Sequence, residues 1–411
     1  MQIKQWVINV LVAFSWILTF IAIILHFVND TSPTVQFVFA IVGMINMARM
    51  VGDATEELSD SLGDIVGGIL SASCGNIPEL IFSLIALFNG QYELLMGTLI
   101  GSVVSNLLLV LGSSIVVGSF KNGWKQKFIK GPIHDLAHLL LLGTVIIFIG
   151  LSYMKPSNTM NISVSVLLLI TNVIFTVYQL KYDRISLTRQ TSLRLDKPLE
   201  RRMPIQDLEG QTELTNVAGD DNLGREGGRG GGGGGSSSSN EDPVVLFNRD
   251  MPKFVTKKRL ILFESISKLI VSSAFVALLS EIITETCQVF SLELGLSKQF
   301  IGFFIIAFTG NAAEHWTSLK AAYDNEIDLA ITTVETSGIQ ITMLIIPLIV
   351  LISYSQAIPI YMTFSAVQLG IYLSTIFFVQ YIIRDNEANI IEGAFLLIFY
   401  LMSAIFYAVY G

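Results

Sequence analysis

From Leu94 to Phe120 the chain runs through 27 residues without one acidic or basic side chain. At about 1.5 Å per residue a helix of that length crosses the roughly 30 Å hydrocarbon core of a bilayer. The run is one of many. Charge-poor stretches of similar length recur at residues 5–29, 33–52, 65–92, 136–154, 156–180, 260–279, 299–319, 329–353, 358–383 and 393–410. Only 14% of the chain is charged, against about 25% in an ordinary soluble domain. The charge is also unevenly placed: 26 of the 58 charged residues fall between Lys181 and Arg259. The pattern predicts an all-α membrane protein of about 11 transmembrane helices. The opening apolar run exceeds the 7–15 residues of a signal-peptide core and shows no small-residue cleavage site, so it is expected to be a retained first helix.

Short-loop lysines and arginines set the expected orientation. With the N-terminus in the cytoplasm, that side holds Lys4, Arg49, Lys121, Lys125, Lys127, Lys130, Lys320 and Arg384, and the opposite side holds only Lys155 and Lys298. The segment 182–259 includes the run Gly228 to Ser239, almost entirely glycine and serine, mixes both signs of charge and has few large apolar residues. It cannot bury enough surface to offset its conformational entropy, so a flexible cytoplasmic loop is expected there. A net charge of −8 without a basic stripe argues against a nucleic-acid partner. Cys74 and Cys287 form neither a disulfide framework nor a zinc spacing.

One motif occurs twice. Gly75-Asn76-Ile77-Pro78-Glu79 lies in the third apolar stretch, and Gly310-Asn311-Ala312-Ala313-Glu314 lies 235 positions later in the eighth. Five spans separate them, an odd number, so the copies are expected to point in opposite directions across the membrane. Transporters built from inverted repeats place their sites near the midplane where the repeats meet. The organisation expected is a first helix (1–30), a five-helix repeat (31–181), the loop (182–259) and a second five-helix repeat (260–411). A carboxylate at the bilayer centre costs about 2.5–3.5 kcal/mol on insertion scales, which marks Glu79 and Glu314 as functional candidates. Glycine and proline beside them loosen the helical ladder. At three-residue spacing, Asn76 and Asn311 are expected on the same helix face as their glutamates. Hard oxygen donors without a histidine or cysteine pair suit Ca²⁺ rather than zinc or copper.

At this point the sequence resembles the cation/proton exchangers of the calcium/cation antiporter superfamily. The resemblance rests on Gly75-Asn76-x-x-Glu79-Leu80-Ile81, on Gly310-Asn311-Ala312-Ala313-Glu314-His315, on Ala54-Thr55-Glu56-Glu57-Leu58, and on Gly101-Ser102-x-x-Ser105-Asn106-Leu107-Leu108-Leu109-Val110-Leu111-Gly112. It covers nearly the whole chain outside the loop. Asparagine after glycine in both copies is similar to the proton-coupled members, whereas the sodium-coupled ones usually carry serine or threonine there. The resemblance implies a cation held by Glu79 and Glu314, with Asn76, Ser102 and Ser105 serving from the first half and Asn311, Ser337 and Gln340 from the second. It implies accessory acidic positions at Glu56 and Glu281. His315, next to Glu314, is a candidate for tuning proton affinity.

The activity this implies is secondary active antiport, cytosolic Ca²⁺ against lumenal H⁺, in a vacuole or another acidic organelle, with the ions as cargo and no cofactor. Two departures stand out. Val334-Glu335-Thr336-Ser337-Gly338-Ile339-Gln340 carries an extra intramembrane carboxylate where the family has a glycine- and serine-rich segment, and Pro78 is more usual in the sodium-coupled relatives. Other readings stay open: a cation channel with a glutamate ring, an exchanger working mainly on Na⁺, K⁺ or Mn²⁺, or packing glutamates. An enzyme is not expected, since His134 and His138, at i and i+4, fall at a helix start and read as interfacial histidines.

Overall fold

The computed structural model describes residues 16–28, 31–62, 74–128, 132–147, 157–195, 243–354 and 364–410. Two units form: residues 1–178 with 260–411, and residues 179–259. The described parts of the second unit are helical, at 179–195 and 243–259.

The helices follow the apolar runs: α1 (Trp16–Phe27), α2 (Pro33–Leu62), α3 (Ile77–Phe88), α4 (Tyr92–Asn122), α5 (Pro132–Ile147), α6 (Asn158–Leu195), α7 (Pro243–Leu294), α8 (Lys298–Gly310), α9 (Ala312–Tyr323), α10 (Ile327–Ser353), α11 (Ala366–Ile382) and α12 (Ile390–Tyr410). Seven helical stretches among the described residues are long and apolar enough to cross a bilayer: Pro33–Leu62, Tyr92–Asn122, Asn158–Tyr178, Leu260–Leu294, Ile327–Ser353, Ala366–Asp385 and Ile390–Val409. The apolar helices α1, α3, α5 and α8 are shorter. The first of the expected spans is described only from Trp16, and Ile65 to Leu70 of the third lie outside the described residues.

Burial sorts these helices. α4 is almost wholly enclosed, while α6 and α12 turn Val173, Ile174, Val177, Ile391, Leu401 and Ile405 outward. An outward apolar surface of that extent is what lipid, not water, accommodates. The protein is a multi-pass helical membrane protein.

The eighth stretch, expected as one helix over 299–319, is two: α8 ends at Gly310, Asn311 leaves helical geometry (φ −75°, ψ 17°), and α9 starts at Ala312. Asn76 (φ −105°, ψ 33°) stands in the same place before α3. The duplication continues residue by residue. After α3, Asn89 and Gln91 donate backbone bonds to Ile85 and Ala86, and Gly90 takes φ +65°. At the same 235-residue offset after α9, Asp324 and Glu326 donate to Lys320 and Ala321, and Asn325 takes φ +67°. Left-handed backbone favours glycine and tolerates asparagine, which is why these two types occupy the turn. Next, α4 and α10 each widen into a π-helical stretch, Ser105–Val110 and Ile341–Ile345.

The halves lock together through glycine. Gly97-x-x-x-Gly101 on α4 meets α8 so closely that an added Cβ would lie 2.4 Å from the Gln299 carbonyl oxygen or 2.2 Å from that of Phe303, and Gly302 is as tight against the Leu94 carbonyl. Small residues at that spacing let membrane helices touch backbone to backbone. A two-stranded antiparallel ladder, β1 (Lys125–Lys127) with β2 (Glu387–Asn389), joins the ends of α4 and α11. Lys125 Nζ lies 3.1 Å and Lys127 Nζ 3.4 Å from the Glu387 carboxylate. This pairing holds the Glu387 carboxyl below the usual carboxylate range and raises Lys125.

Candidate ion-binding site

The start of the helix after each asparagine positions its glutamate. Because Asn76 and Asn311 leave helical geometry, the backbone N–H groups of the next turn have no partner one turn back, and Glu79 and Glu314 fall in those first turns. A carboxylate there is favoured by the helix dipole. Both are buried, at 3% and 7% exposure. Each asparagine stands just outside its helix, and its side chain bonds across to the other half rather than lying with the glutamate on one continuous helical face.

The two motifs meet. Gly310, of the second copy, faces Glu79, of the first: a Cβ at Gly310 would lie 2.8 Å from Glu79 Oε1. Glu314 follows Gly310 by four residues, and the charge of Glu79 acts on it. Among the described residues neither Glu79 oxygen has a hydrogen-bond partner, nor does Glu314 Oε2. Beside them a small pocket is lined by Met44, Pro78, Glu79, Phe82, Thr98, Ser102, Ile306 and Gly310.

Hydrogen bonds from side-chain amides then stitch the halves. Asn311 Nδ2 donates to the Ser102 carbonyl at 3.0 Å. Asn106 Nδ2 donates to Ser337 Oγ at 2.8 Å, the Ser337 hydroxyl donates to Asn76 Oδ1 at 2.7 Å, and Asn76 Nδ2 donates to Gln340. The chain of donors thus passes from α4 to α10, back to the first motif, and again to α10. Each amide is oriented by its neighbour, which fixes where the leftover oxygens point. Those left without a partner among the described residues include Ser102 Oγ, Asn106 Oδ1 and Asn311 Oδ1. Ser105 is also fully enclosed, at the start of its π-helical stretch. π-bulges recur at functional sites because the extra residue per turn re-aims side chains. Among the described residues no group of three or more His, Cys, Asp or Glu side chains forms a metal cluster. The site therefore offers two carboxylates and neutral oxygens.

The remaining candidates lie elsewhere. Glu56 is exposed on α2, among the charges of Asp53, Glu57, Asp60 and Lys320. Glu281 is half-buried on α7, and its backbone carbonyl accepts from Thr284. The His315 ring meets Phe308 edge-on at 5.3 Å. None of the three lines the pocket. Asn106, in contrast, belongs to the Gly101–Gly112 motif with no role foreseen for it, and it anchors Ser337. A single amide inside a run of 27 uncharged residues is the signal the sequence carries for it.

A model of the sodium/calcium exchanger protein family matches residues 32–181 and 265–409. The chain belongs to that family. Among family relatives, the vacuolar cation/proton exchanger 1c of Oryza sativa subsp. japonica is 28% identical over 90% of this chain and 73% of its own length. The vacuolar calcium ion transporter of Schizosaccharomyces pombe is 26% identical over 89% and 76%. The structure of native YfkE superposes with a TM-score of 0.67 at 24% identity, covering 98% of this chain and 99% of that one. An H⁺/Ca²⁺ exchanger CAX structure gives 0.65 at 11% identity over 98% and 92%. These likenesses establish the exchanger fold. Both matched segments include a Gly-Asn-x-x-Glu copy, and the gap between them falls on residues 182–264.

Proposed function

We propose that this family member is a secondary active antiporter that moves Ca²⁺ out of the cytosol into a vacuole or similar acidic compartment in exchange for H⁺. The observation that carries it is Glu79 set against Gly310, which brings two carboxylates from separate halves into one buried place without a cationic partner among the described residues. Two bare carboxylates there are penalised twice by desolvation, and a charge left unpaired in a protein interior costs several kcal/mol, on the order of 3–5. The pair therefore needs company. One Ca²⁺ neutralises both, and so does one proton on each.

Either loaded form is close to neutral at the site and crosses cheaply, whereas the empty form does not. That difference enforces exchange and suppresses leak. Ca²⁺ takes 6–8 oxygens in flexible geometry. Glu79, Glu314, Asn311, Ser102 and Asn106 supply oxygens free to serve, and Ser105, Asn76, Ser337 and Gln340 complete the polar surround. Opposing access then arises as one group of helices rocks or slides past the fixed pair. His315, Glu56 and Glu281 are assigned to proton and cation entry. The relatives named for vacuolar cation/proton exchange and vacuolar calcium transport support the cargo and the compartment.

The test is accumulation. Full-length protein in acid-loaded liposomes takes up Ca²⁺ against its own gradient and loses that ability on addition of a protonophore. Glu79→Gln and Glu314→Gln each reduce uptake at least 100-fold, about 2.7 kcal/mol or more. Wild-type uptake by either variant would end the proposal.

A further inference from the structure

Ser83 and Ser318 follow Glu79 and Glu314 by four residues, one helical turn, on α3 and α9. Both are 0% exposed, and neither hydroxyl has a hydrogen-bond partner among the described residues. Serine and threonine on a helix commonly settle this by donating to the carbonyl four residues back. Thr98 does so to Leu94 at 2.9 Å, and Thr309 to Ile305 and Ser280 to Val276 at 2.7 Å. For Ser83 and Ser318 that carbonyl belongs to Glu79 and Glu314, and the bond is not made.

A buried hydroxyl left alone is costly. Other buried hydroxyls lack partners too, Ser114, Ser165 and Ser403 among them. Within that set Ser83 and Ser318 are the one pair separated by the 235 residues of the duplication. A single case is explained by local packing; the same case twice, one turn past the same glutamate in both halves, belongs to the site. Side chains lean toward the start of their helix, so each serine reaches back over the turn that carries its glutamate. Cβ atoms at that spacing lie about 5–6 Å apart, roughly twice the calcium–oxygen distance of about 2.3–2.6 Å, so one ion can touch both side chains. A hydroxyl brings lone pairs without charge, which leaves the neutral balance of the loaded pair intact.

The two serines lie on opposite sides of the carboxylates. α3 ends in the tight turn before α4, where the Gln91 amide donates to Ala86, whereas α9 ends beside the far end of α4, where Asn122 donates to the Ala322 carbonyl at 2.8 Å. The 31 residues of α4 separate those points. From the pair, α3 therefore leads to one face and α9 to the other.

We propose that Ser83 and Ser318 are cation-binding groups, the outer ligands that hold Ca²⁺ as it passes between the glutamate pair and each face. The proposal rests on the exchange reading above and names two further groups of the same site.

Ca²⁺ half-saturation is measured from each face of full-length protein reconstituted in one orientation. Ser83→Ala is expected to raise the half-saturating concentration about 5-fold or more from one face, and Ser318→Ala from the other, with the maximal rate within about twofold of wild type. Ser83→Cys and Ser318→Cys replace a hard oxygen by a soft thiolate, so each should bind Cd²⁺ with a cadmium–thiolate absorbance band beyond any of the wild type, and Ca²⁺ should displace it. The band needs no transport. It therefore decides the assignment even where the wild type fails to exchange Ca²⁺ for H⁺, which would strike the earlier reading alone, or where an alanine variant is folded but inactive. Wild-type half-saturation from both faces in the folded alanine variants, or no added band in the cysteine variants, would overturn the assignment.

Discussion

Gly310 shows how little space the site leaves. One methyl group there would come within 2.8 Å of Glu79 Oε1, so Gly310→Ala is expected to fold yet to push Glu79 aside. Transport should fall 10-fold or more with little change in thermal midpoint, a split that uptake and melting curves read together. Asn106→Ala removes the donor to Ser337 and leaves buried oxygens unpaired, a cost of about 1–3 kcal/mol. Weaker Ca²⁺ affinity with a nearly unchanged maximal rate is expected from uptake titrations. The glutamates are legible in the sequence because an acid in an apolar run is conspicuous. The role of Asn106 is not, because it depends on a partner 231 residues away. Asn76 and Asn311 are recognisable by type, but their geometry is not: spacing alone treats a helix as continuous, whereas both stand outside helical geometry and bond to partners in the other half.

At the scale of elements, the crossing of α4 and α8 holds the two halves in register. Gly101→Ala sets a Cβ 2.2 Å from a backbone oxygen that cannot swing away, so about 1–3 kcal/mol or more of destabilisation is expected, seen as a lowered melting temperature and poor monodispersity. The Gly97-x-x-x-Gly101 pattern is readable in the sequence, but its partner on α8 is not. The β1–β2 ladder is invisible there too, because three-residue strands between long helices leave no periodic trace. Its pH response has a definite sign. The lowered Glu387 adds stability above the unfolded glutamate value, about 4.3, which is lost as pH falls through the lower folded one. Raised Lys125 adds stability below about 10.4, lost as pH rises through its higher folded value. Amide protection at residues 125–127 and 387–389, taken relative to the intrinsic exchange rate at each pH, should therefore be greatest between those limits and fall in acid, and Glu387→Gln should remove the acid step.

For the whole molecule, the apolar runs alone dictate a helical membrane protein, and the paired motif dictates its duplication. The length of each span is less legible, because a helix crossing a bilayer and one ending halfway have the same composition. α7 illustrates this: it continues past the expected end at residue 279 to Leu294, carrying Glu281 and Glu285 with it. Exchange and channel function differ at this scale alone, since both would use the same oxygens. A channel lets Ca²⁺ run down its gradient without moving protons, whereas the exchanger should drive protons the opposite way with every Ca²⁺ and stop once the pH gradient so built balances the Ca²⁺ gradient.

The central claim is that Glu79 and Glu314 together hold either a divalent cation or protons. Anomalous diffraction from crystals soaked in Ca²⁺ at alkaline pH, then repeated in acid, tests it most directly. One peak between the two carboxylates that disappears in acid is predicted, and a peak away from them, or one indifferent to pH, would contradict the account.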